Sequence, residues 1–114
     1  MSLPLNPAVL MAAYDYLNTT LPFRRWRLPH SSEIKFGVIR SKQVRGLCWD
    51  TGKGHKIDVS SDTVGRTEGL MSTMAHEMIH VHLDRLRIKA HHGKAFWKSA
   101  ALVCRYHGFD LKEF

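Results

Sequence analysis

Apolar residues recur at helical spacing in three stretches of the chain, and between the first two they alternate with polar ones. Near the start, Leu10, Ala13, Tyr14 and Leu17 predict a helix over Pro7–Asn18 with one buried face. Asn6 is a natural N-cap for it, Pro7 fits its first turn, and Thr19-Thr20-Leu21-Pro22 ends it. Within Glu33–Arg40, Ile34, Phe36 and Val38 alternate with Lys35, Gly37 and Ile39, and Val44–Trp49 is a second β-rich run beyond a turn at Ser41-Lys42. Asp50-Thr51-Gly52-Lys53-Gly54 is turn chemistry, and His55–Ser60 reads as a third strand. Consecutive strands with such short connections predict an antiparallel meander.

After a polar connection, Ser61–Arg66, with Gly65 as a turn residue, a long helix begins at about Thr67. Met71, Ala75, Met78, Ile79 and Leu86 mark its apolar face, while Glu68 in its first turn and Arg85 and Arg87 in its last complement the helix dipole. A final helix, Lys94–His107, carries Phe96, Ala100 and Val103 on one face with Trp97, Ala101 and Cys104 beside it, and Gly108 follows as its C′ residue. The tail Phe109–Phe114 is too short to assign. The fold class expected is α+β: an N-terminal helix, a three-stranded antiparallel sheet, a long helix and a C-terminal helix.

Composition narrows this picture. A chain of 114 residues, 44% of them hydrophobic, suits one domain around one core. The apolar patch Ala8–Ala13 is too short to span a membrane and is soon followed by Asp15, and the basic start of a signal peptide is lacking, so a cytoplasmic protein is expected, or a nuclear one in a eukaryote. Cys48 and Cys104 form no CxxC pair and are expected to be reduced, buried thiols rather than ligands. The net charge of +7 suits a phosphate-rich partner and equally a solvated basic surface. In Phe23-Arg24-Arg25-Trp26-Arg27, the arginines Arg24, Arg25 and Arg27 could grip single-stranded nucleic acid while a ring stacks on a base. The reading preferred here places Phe23 and Trp26 in the core and the arginines on the surface.

The chemistry is concentrated in His76-Glu77-Met78-Ile79-His80, an HExxH pattern in the middle of the long helix. On a helix the two histidines are one turn apart, so their rings share a stripe about 6 Å apart and can hold one zinc ion. Glu77 is rotated about 100° from His76 and about 60° from His80, where its carboxylate overlooks a water on that metal. A catalytic site needs a third protein ligand and an open fourth position, and His91 and His92 follow downstream. A helix running to Ile88 would carry the chain about 12 Å past His80. The extended residues Lys89–His92 recover about 13–14 Å, so the helix has to break near Arg87 or Ile88. His82 points away from the ligand stripe, and His55 reads as a turn residue. Thr73 and Asp84 extend the stripe by one turn each way, Asp84 as a partner for a ligand histidine or as a solvated acid. An edge strand beside this helix could hold an extended peptide through its main chain, though the pattern does not say which strand.

HEMIH, followed after eleven residues by His92-Gly93-Lys94-Ala95-Phe96, resembles the SprT-like, or Spartan-like, zinc metalloproteases. The likeness extends back through Arg27-Leu28-Pro29, Glu33-Ile34-Lys35-Phe36 and Lys56-Ile57-Asp58-Val59-Ser60, and covers about Asn6 to His107. It implies a small zincin-like domain with His76, His80 and His92 as ligands of one zinc ion per chain and Glu77 as catalytic base. His92 is chosen over His91 because it directly precedes Gly93, as in that family, and the flexible glycine lets the chain turn into the next helix. The resemblance further implies a zinc-dependent endopeptidase acting on protein substrates, DNA-bound or DNA-crosslinked ones among them, with single-stranded or junction-like DNA as partner. Tyr106 or His107 is a candidate auxiliary donor to the oxyanion. The cysteine zinc ribbon and partner-binding tails of many family members are absent, so a bare catalytic domain is expected. The alternatives are a non-catalytic nucleic-acid-binding or adaptor module with a structural zinc, and an HExxH peptidase of a related family without a DNA role.

Overall fold

Asn6 opens the first helix, its side-chain oxygen accepting from the Val9 amide at 2.9 Å. In the computed structural model, which describes residues 4–64, 66–89 and 91–114, this helix, α1, spans Pro7–Asn18 and buries Leu10, Ala13, Tyr14 and Leu17. That is the face the spacing predicts. A single helical turn, α2 (Phe23–Trp26), and a 3-10 turn (Ser31–Glu33) lead into strand β1 (Ile34–Ile39). Strands β2 (Gly46–Asp50) and β3 (His55–Ser60), the long helix α3 (Thr67–Arg85), helix α4 (Lys94–His107) and a last 3-10 turn (Leu111–Glu113) complete the order. The turn expected at Gly65 lies outside the described residues.

The strands fall where the alternation puts them, but the sheet is mixed and not the expected antiparallel meander. Its order is β1-β3-β2, with β1 parallel to β3 and β2 antiparallel to it. Between β2 and β3 the turn chemistry makes a hairpin, closed by Thr51 N donating to Gly54 O at 3.0 Å. Gly52 supplies the positive φ of +82° there. Residues 40–45 instead cross the end of β3, a passage of two strand spacings, or about 10 Å.

Ser60 fastens that crossing. Its buried hydroxyl donates to Ser41 O at 2.6 Å and accepts from Ser41 N at 2.9 Å, while its own amide donates to Arg45 O at 2.8 Å. The physical reason for the departure is burial: β3 holds the fully buried Ile57 and Val59 and takes the centre, leaving the more exposed β1 and β2 at the edges. Alternation decides which face a strand buries, not which neighbour it pairs with.

The core joins α1, α3 and α4 to the sheet through Tyr14, Phe23, Ile57, Met74, Met78 and Phe96. The apolar face of α3 holds at Ala75, Met78 and Ile79, whereas Met71 is only partly buried and Leu86, beyond the last turn, is 58% exposed. Phe23 is buried and Trp26 packs against the core, while Arg24, Arg25 and Arg27 are exposed, as the preferred reading of that stretch requires. Among the described residues no helix is long and apolar enough to cross a membrane.

Candidate metal centre

Helix α3 presents His76 and His80 one turn apart, their ring centroids separated by 5.1 Å. The helix ends at Arg85 and the chain reverses at Arg87, where the reach to the third histidine places the break; Arg87 adopts the left-handed conformation with φ 60°. Arg87 N donates to Asp84 O at 2.9 Å and Ile88 N to Leu83 O at 3.0 Å, the double closure of a Schellman motif. Glycine usually fills such a position, and with arginine there the stop carries no local signal beyond the reach to the third histidine. The reversal brings the following loop back over α3 and sets His92 against both helix histidines, with ring centroids 5.3 Å from His76 and 4.9 Å from His80.

The Nε2 atoms of His76 and His92 lie 3.2 Å apart, and one ligand atom from each of His76, His80 and His92 can be chosen so that all lie within 4.8 Å of one another. Two nitrogens bound tetrahedrally to one metal at about 2.0–2.1 Å would be about 3.3–3.4 Å apart, so the group fits a metal ion. Among the described residues no other such group of three occurs. His91 stands 5.0 Å from His80, ring to ring, but lines a neighbouring cavity and does not join the set.

Protonation suits the role. Burial lowers His76 to about 4, against the opposing pull of the Phe114 main-chain oxygen, and lowers His80 to about 3 with the help of His76 and His92. Burial and then His91 lower His92 as well. Near neutral pH all three are the uncharged imidazoles that bind metals. His76 Nδ1 is 2.6 Å from the main-chain oxygen of Phe114. An unprotonated main-chain oxygen can only accept, so the proton sits on Nδ1 and Nε2 is left with a free lone pair.

Glu77 is 5% exposed, and burial pushes its carboxyl up to about 8. Beside it opens a cavity of about 310 Å3 bordered by Arg45, Gly46, Thr73, His76 and Phe114. A second cavity, of about 340 Å3, lies on the other side of His80 and is bordered by Cys48, Asp50, His55, Asp84 and His91. Alternate residues of β2 thus line both cavities, which makes β2 the edge strand that runs beside the centre.

Other residues land elsewhere than expected. His55 is no turn residue: it begins β3, is nearly buried, and its Nε2 is 2.7 Å from Asp84 Oδ2. Asp84 therefore partners a histidine outside the metal group. The inward alternation His55, Ile57, Val59 was the available signal, masked by the glycine-rich turn before it. His82 stacks on Trp26 at 4.0 Å, away from the centre as expected. His107 Nε2 contacts Thr20 Oγ1 at 3.0 Å and Tyr106 is 51% exposed, and neither candidate auxiliary donor borders the cavity beside Glu77. Cys48 and Cys104 are free, and burial, followed by the charge of Glu77, pushes the Cys48 thiol up to about 12. Arg24, Arg25 and Arg27 border neither cavity at the centre. Arg45 and Phe114 were missed, because segments distant in sequence bring them to His76.

A long helix carrying two histidines and a buried glutamate, met by a third histidine from the next loop, defines an α+β protein whose three converging histidines can hold a metal ion. The chain belongs to the SprT-like family, whose profile matches residues 11–112, nearly its entire length. No curated protein matches it.

Proposed function

We propose that this protein is a zinc-dependent endopeptidase of zincin-like architecture, with His76, His80 and His92 as the zinc ligands and Glu77 as the catalytic base. The observation that carries this reading is the buried carboxyl of Glu77, next in the chain to one of three neutral imidazoles and open to a cavity large enough for a side chain. Those nitrogens would hold the zinc ion, which when bound would supply Lewis acidity to polarise the scissile carbonyl and lower the pKa of a water towards about 7. Glu77 takes the proton of the attacking water and passes it to the leaving amine. An extended substrate pairs with the free edge of β2, so that main-chain hydrogen bonds hold it and cleavage tolerates varied sequence. Among the described residues no fourth histidine, cysteine or carboxylate joins the three, which favours a catalytic ion over a purely structural one.

The substrates proposed are DNA-bound or DNA-crosslinked proteins. The net charge of +7 and the exposed Arg24, Arg25 and Arg27 support DNA as partner. The zinc-loaded protein, incubated with a basic DNA-binding protein with and without single-stranded DNA, should cleave it. Glu77→Gln should keep the metal and lose about 10²–10⁴-fold in rate. Undiminished cleavage by that variant overturns the mechanism. Reversing the three arginine charges should weaken salt-sensitive DNA binding, and no binding by the unaltered protein at low ionic strength removes the DNA part.

A further inference from the structure

Gly108, left-handed at φ 77°, ends α4 and turns the chain back towards α3. Asp110 caps the last 3-10 turn, its carboxylate accepting from Lys112 N at 2.9 Å. The two residues that follow are held from both sides. Arg45, just before β2, donates from Nη1 to Glu113 O at 3.0 Å. The Phe114 ring packs with Phe96, Phe109 and His76 at centroid distances of 6.5, 6.0 and 5.4 Å. Between these anchors the main-chain oxygen of Phe114 meets His76 Nδ1 at 2.6 Å.

We propose that Phe109–Phe114 is a strap that positions the metal centre: the main-chain oxygen of Phe114, clamped through Arg45 and seated by its own ring, holds the His76 proton on Nδ1 and aims Nε2 at the metal. A neutral imidazole without such a partner carries its proton on either nitrogen, and only one of the two forms can bind through Nε2. The oxygen also fixes the ring plane, so the ligand is oriented before the metal arrives. Glu113 and Phe114 at the same time wall the cavity beside Glu77, which couples the strap to the space a substrate side chain would enter. The inference rests on His76 as a ligand, not on peptide cleavage.

The test uses the full chain. In the metal-free protein, nitrogen NMR of the histidine rings should find the His76 proton on Nδ1. Arg45→Ala combined with Phe114→Ala should release it to both nitrogens and weaken zinc binding, measured against a competing chelator, by about 10–100-fold, the usual effect of removing a ligand's outer partner. Weakening of less than tenfold, or a proton that stays on Nδ1, overturns the strap. Should the double variant fail to fold, the exposed Arg45 provides a milder test. Arg45→Ala alone should weaken binding at least threefold and Arg45→Lys should restore it, equal affinity in all three proteins overturning the clamp. A protein that binds zinc yet cleaves nothing leaves the strap standing and removes the peptidase reading. Cleavage with an unmoved zinc affinity does the reverse.

Discussion

Gly46 shows how closely the centre is packed against the sheet edge. A Cβ placed there would lie 2.9 Å from Thr73 Cγ2, 3.0 Å from Asp58 O and 3.2 Å from Glu77 Oε2. The main-chain oxygen cannot move cheaply, so Gly46→Ala should cost about 1–3 kcal/mol of stability and displace the Glu77 carboxyl. Cleavage should then fall more than zinc affinity, because the glutamate and not a ligand is pushed. A variant with unchanged melting temperature and activity would contradict this packing. At this scale the sequence was informative wherever local spacing decides: His76, Glu77 and His80 are set by the helical period alone. The choice of His92 over His91 needed the family pattern. The roles of His55, Arg45 and Phe114 were illegible because each depends on contacts between distant segments, His55 with Asp84 and Arg45 with Glu113.

The elements themselves were largely legible. The bounds of α1 and α4 coincide with the predicted spans because each has strong end signals, Asn6-Pro7 opening one and Gly108 closing the other. The end of α3 was harder, since an arginine occupies the reversing position. Strand positions followed from alternation, but strand order did not, because nothing local in residues 40–45 says whether they double back or cross β3. Ser60 marks the outcome, tying the crossing through both the amide and the carbonyl of Ser41. Ser60→Ala strands those two groups and should cost about 1–3 kcal/mol in denaturant unfolding. A cost near zero would mean that the crossing is held by other contacts.

For the molecule as a whole, the metal centre is where separate parts of the chain meet: α3, the loop after it, the start of β2 and the last turn. None of these segments makes a site alone, so metal binding should depend on the complete fold and should in turn stabilise it. The positive charge belongs to the same scale, since it acts through the field of the whole surface. The most direct test of the central claim is zinc titration of the intact protein and of His92→Ala against a competing chelator. One tightly held ion per chain, weakened by about two orders of magnitude or more in the variant, is the result expected when three imidazoles share the metal. Unaltered affinity in His92→Ala would contradict it.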